Sequence, residues 1–135
     1  MKQTAILTTT TLLTILLMTF HLAGDIVFKL SPAGFANLFA VFVFVVMLCG
    51  TLLLAGRRSG YIIVFFGSLF ALVMPVLHMR GAHGMIGGEV GNSSQGFFFV
   101  WVLLALSVTA TFSAILSACA LWRNNKKAAP RGAAS

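Results

Sequence analysis

Four apolar runs, residues 4–24, 35–56, 60–79 and 96–122, contain no Asp, Glu, Lys or Arg. Each is near or above the roughly 20 residues that a helix needs to cross a bilayer core. Hydrocarbon offers no partner to a backbone amide or carbonyl, so such a run must close its hydrogen bonds within itself, as an α-helix. The expected fold is an all-α integral membrane protein, a four-transmembrane-helix antiparallel bundle with both termini cytoplasmic. Only 8% of the chain is charged, against about 25% in soluble domains, which excludes a soluble globular fold. Residues 1–123 are expected to form a single membrane domain, and residues 124–135 a disordered basic tail.

Orientation follows from the basic residues. Lys2, Arg57, Arg58, Arg123, Lys126, Lys127 and Arg131 fall at the N-terminus, in the second gap and in the tail, which four crossings put on one side. Lys29 and Arg80 flank the other side, where Asp25 and Glu89 balance them. The positive-inside rule makes the basic side cytoplasmic. A pI near 10.5 is thus a mark of topology and gives no reason to expect nucleic acid. A bacterial inner membrane is the expected location. Lys2 ahead of an apolar run has the outline of a secretory signal, but the run is too long and His21-Leu22-Ala23-Gly24 lacks a suitable cleavage pattern. The first span is therefore expected to stay in the mature chain.

Local signals fill in the helices. Ser31-Pro32 suits an N-cap followed by the first helical position, so the second helix is expected to begin near residue 32. Gly56-Arg57-Arg58-Ser59-Gly60 predicts a tight turn between antiparallel neighbours. Tyr61, Trp101 and Trp122 near span ends match interfacial aromatics. Lipid is as apolar as any helix, so helix association needs small residues that let backbones approach. Ala110, Ala114 and Ala118 form one row in the fourth run, with Thr109, Ser113 and Ser117 beside it; Gly67 and Ala71 do the same in the third. The rows are expected to pack helices. Phe39, Phe42 and Phe44, with Phe97, Phe98 and Phe99, are expected to face lipid, with a partner membrane protein as the alternative.

Chemistry concentrates on the outer side. Thr10, Thr14, His21 and Asp25 share one face of the first helix, and Lys29 extends it at the next four-residue step. Asp25 is placed to pair with Lys29 and to orient the His21 ring. His78 ends the third run, which travels in the same direction as the first, so the two histidines are expected at similar depth. Pro75 should kink that helix by removing a hydrogen bond to the Ala71 carbonyl. Arg80 and His83 follow, in a glycine-rich connection that holds Glu89.

Several activities lack their residues. There is no nucleophile elbow and no paired cysteine motif. The glycines around Gly87 follow no strand and precede no Lys-Ser/Thr. Asn92-Ser93-Ser94 matches a glycosylation triplet of a kind that arises easily by chance. No enzyme is expected. His21, His78 and His83 could ligate a metal ion with Asp25 or Glu89, and His21 with His78 could supply axial ligands to a b-type haem between helices. In size and span count the chain resembles the small tetraspan exporters, dimers built around an acid deep in the first span; that resemblance implies transport. The first span here has its acid, Asp25, at the outer end. The expected function is a non-enzymatic binding or accessory component, alone, as a homodimer or in a larger membrane complex. It would work through an outer cluster of His21, Asp25, Lys29, His78, Arg80, His83 and Glu89, with metal or haem binding and transport as the alternatives.

Overall fold

A computed structural model describes residues 2–27, 34–80 and 93–128. They form four helices, α1 (Lys2–Val27), α2 (Ala36–Leu52), α3 (Arg58–Arg80) and α4 (Ser94–Ala128), packed antiparallel. Side chains paired between α1 and α4 step in opposite directions along the two helices: Gln3 meets Arg123, and Thr14 meets Ser113. Gln3–Val27, Arg58–His78 and Gly96–Lys126 are each long and apolar enough to cross a bilayer, which marks an integral membrane protein.

The second run makes a shorter helix than its composition suggests. It begins at Ala36, behind a turn at Gly34 and Phe35, and ends at Leu52, short of Gly56. At 17 residues it is about 26 Å long, using the usual helical rise. The expected cap at Ser31 and Pro32 lies outside the described residues. Residues 53–57 turn the chain into α3, with Gly56 at φ 79°, a left-handed conformation that glycine adopts without strain. The approach there is close: a Cβ on Gly60 would run into the Leu54 carbonyl and stand 2.7 Å from that of Gly50.

At the other end of the chain, α4 continues to Ala128, into the segment expected to be an unordered tail. Lys126 lies over the Trp122 ring, 3.9 Å from its centroid. A helix brings residues at this four-residue spacing together on one face.

The core gathers Ile15 and Met18 of α1, Phe44 and Met47 of α2, Ala71 of α3, and Leu106 and Ala110 of α4. α4 packs against both α1 and α3 and does not reach α2 among the described residues. Its small-residue face does this work, since Ala110, Ser113, Ala114 and Ser117 are all buried. Ala118, expected in the same row, is exposed. Eight residues turn a helix by about 80° beyond two full circles, so a four-residue row drifts off a straight contact face. Ala71 is buried and Gly67 half-buried; a Cβ at residue 67 would stand 2.6 Å from Met47 Cγ, so its absence lets α2 seat against α3.

Phe39, Phe42, Phe97 and Phe98 point outward, as expected of lipid-facing residues, whereas Phe44 and Phe99 are buried. Pro75 sits inside α3 without ending it. Several buried hydroxyls return to carbonyls one turn back, as in Thr11 to Leu7 and Ser117 to Ser113. A threonine face therefore needs no ligand to be stable in lipid.

Candidate metal centre

At the end of the bundle where α1 and α3 finish and α4 begins, three titratable side chains meet. His21 and Asp25 lie one turn apart on the same face of α1. His78 comes across from α3. Asp25 stands between the two rings: its Oδ2 is 3.4 Å from His21 Nε2, and its Oδ1 is 3.1 Å from His78 Nε2. The imidazole centroids are 4.7 Å apart with planes at 89°. Phe99 of α4 closes the group from the third side, with ring centroids 5.3 Å from His21 and 5.6 Å from His78. His21 and Asp25 are buried, and the His78 side chain keeps 19% of its surface exposed. The group is therefore reached from the α3 side.

Hydrogen bonding fixes much of the chemistry. His78 Nδ1 is 2.9 Å from the Met74 carbonyl, and a carbonyl only accepts, so Nδ1 carries a proton and Nε2 is the atom presented to Asp25. A metal-ligating histidine commonly has this support, with one ring nitrogen anchored on a backbone carbonyl and the other free to coordinate. His21 is supported on one side only. Its Nδ1 is buried and, like Ser68 Oγ, has no hydrogen-bond partner among the described residues.

One nitrogen from each ring and one carboxylate oxygen lie within 4.8 Å of one another. Four tetrahedral ligands at 2.0–2.1 Å from zinc stand roughly 3.3 Å apart, close to the 3.1 Å and 3.4 Å contacts made to Asp25. These residues fit a metal ion held by two imidazoles and a carboxylate. They do not fit a haem between His21 and His78. Axial ligands must face each other across the porphyrin, whereas here both Nε2 atoms converge on Asp25 and the rings meet edge to face.

Of the outer residues singled out in the sequence, the structure brings together His21, Asp25 and His78. Arg80 closes α3. Lys29, His83 and Glu89 lie outside the described residues, so the expected Asp25–Lys29 pair and the third histidine ligand do as well. The Asp25–His78 contact and the role of Phe99 are not legible in the sequence. The first joins helices whose relative rotation no local pattern encodes, and the second is one of three consecutive phenylalanines, told apart only by which face α4 turns inward. Comparison with family models, with curated proteins and with solved structures gives no match.

Proposed function

We propose that this chain is a four-span protein of a bacterial inner membrane, with cytoplasmic termini, that binds a divalent first-row transition metal through His21, Asp25 and His78 near its outer surface. The convergence of two imidazole nitrogens and a carboxylate within 4.8 Å carries the reading. Ionisable side chains inside a membrane protein are costly and usually serve a ligand, an ion path or a proton relay. Imidazole with carboxylate suits zinc, nickel or cobalt ahead of copper(I), which favours thiolates and thioethers. Cys49 and Cys119 are both exposed and belong to other depths of the bundle. Three protein ligands leave a fourth position for water or an incoming donor, as suits a component that takes up an ion and releases it.

The fourth crossing is α2. Its roughly 26 Å falls short of a 30 Å core by an amount that local thinning of the bilayer absorbs. The excess of basic residues on one side supports the proposed orientation.

The test is elemental analysis of the purified full-length protein after dialysis against zinc or cobalt. About one equivalent retained by the native chain and lost in His78→Ala supports the proposal. Retention of less than a tenth of an equivalent by the native chain, or equal retention by both, defeats it.

A further inference from the structure

The opposite end of the bundle holds a second polar recess. Gln3 and Thr4 of α1, Tyr61 of α3, and Cys119, Ala120 and Arg123 of α4 surround about 30 Å³ of space, room for one oxygen-sized group. Arg123 donates to Gln3 Oε1. That carboxamide is neutral and takes one of five guanidinium N–H donors, so it positions the fork without neutralising it.

Among the described residues no carboxylate does so either. The two acids of the chain are Asp25 and Glu89. Asp25 lies roughly 33 Å along α1 from Gln3 at the usual helical rise, and Glu89 lies outside the described residues. Lys2, Arg57, Arg58, Lys126 and Lys127 share the Arg123 end. α1 and α3 both start there with no acidic residue in the first turn, so their unbonded amides add to the positive field.

Depth identifies the anion. Trp122 is exposed and carries Lys126 over its ring, and Tyr61 lines the recess itself. Exposed Trp and Tyr mark the membrane–water interface. Arg123, next to Trp122, is thus held at the level of the lipid headgroups.

We propose that this recess binds the phosphate group of an anionic phospholipid headgroup, with one phosphate oxygen seated among Arg123, Tyr61 and Gln3. Arg recognises phosphate through its fork, so the site differs from a diffuse basic surface in depending on one residue. Free phosphate shares this chemistry, and the interfacial depth favours the lipid. The inference stands apart from the metal centre.

The experiment titrates delipidated full-length protein in neutral detergent with short-chain phosphatidylglycerol, short-chain phosphatidylcholine or sodium phosphate, read by Trp fluorescence and native mass spectrometry. Phosphatidylglycerol should bind at least tenfold more tightly than the other two. Arg123→Gln should weaken it at least fivefold and Arg123→Lys by an intermediate factor, while Lys126→Gln changes it less than twofold. Circular dichroism and size-exclusion elution check that each variant is folded, and Gln3→Ala serves as a second variant if Arg123→Gln is not. Equal losses in Arg123→Gln and Lys126→Gln would overturn the site in favour of a diffuse field. Equal affinity for sodium phosphate would overturn the lipid assignment.

Discussion

Replacing Asp25 by asparagine separates ligand binding from folding, because the geometry lets the variant keep its hydrogen bonds. His78 Nδ1 stays on the Met74 carbonyl, so a neutral His78 ring offers a bare Nε2 that can accept from the new amide nitrogen. The amide oxygen then accepts from His21 Nε2, on the side where Asp25 Oδ2 now lies 3.4 Å away. One hydrogen bond, across 3.1 Å to His78 Nε2, ties Asp25 to α3 in the native site, with a proton on one partner; a bond to a charged group contributes about 1.5–3 kcal/mol and its neutral replacement in the variant about 1 kcal/mol. Unfolding free energy should therefore fall by less than about 2 kcal/mol.

Metal affinity has no such compensation. Four-ligand zinc sites bind with about 10–16 kcal/mol, about 3 kcal/mol per ligand, and the carboxylate is the only anionic ligand of the three. Asp25→Asn should weaken zinc binding roughly a hundredfold or more, at 1.4 kcal/mol per factor of ten. The assay is competition against a chromophoric zinc chelator, run beside detergent-denaturation curves of the same preparations. An affinity within threefold of the native value would refute Asp25 as a ligand. A stability loss above about 2 kcal/mol would refute the hydrogen-bond exchange on which the calculation rests.

Other positions test the frame around the centre. Gly60→Ala should destabilise the bundle by about 1–3 kcal/mol, because the atoms its Cβ would meet are backbone carbonyls of Gly50 and Leu54; Gly34→Ala, with nothing within 4 Å, should leave denaturation curves unchanged. Phe99→Ala removes a ring that is 1% exposed against both imidazoles and should cost about 3 kcal/mol in the same assay; a loss below 1 kcal/mol would mean that the ring does not support the site. In a background without Cys49 and Cys119, a cysteine at Ser59 should react with an impermeant maleimide only in inverted vesicles, and one at Ser94 only in right-side-out vesicles; the reverse pattern would overturn the orientation.

The sequence made the helices legible because charge-free runs of this length have one stable conformation in lipid. It gave the ends less well. Apolar composition persists through Leu53, Leu54 and Ala55 after α2 has ended at Leu52, so the hairpin that turns there leaves no break in the run. α4 passes beyond Trp122 to Ala128, where Lys126 stacks on that ring, a contact invisible to a search for apolar length. Within the site, His21 and Asp25 were readable as a pair because one helix carries both at four-residue spacing. His78 could be assigned a depth from its place at the end of a parallel helix, but its distance from Asp25 depends on how α1 and α3 rotate around α4. That rotation is set by packing at Ala71, Ala110 and Ser113, all fully buried, and no local pattern in α1 or α3 reports it.

By the energetics of buried ion pairs, apolar side chains of similar volume should fill the place of the His–Asp–His group with no loss of stability. Charged side chains at membrane depth cost several kcal/mol before any pairing, and replacing a buried ion pair with apolar residues of similar volume is often neutral or stabilising by 1–4 kcal/mol. α1 and α3 could be joined there by a leucine and two aromatic rings, continuing the surroundings that Phe99 already provides. If stability were the purpose of the group, the combined variant His21→Phe, Asp25→Leu, His78→Phe would be the weaker protein. If the purpose is a ligand, that variant should denature at the same or higher detergent concentration than the native chain and retain no zinc. A loss of more than about 2 kcal/mol in the variant would make the three residues a polar fastening between helices. Equal or greater stability would mean that their polarity is retained at a cost to the fold, and that the cost is met in binding.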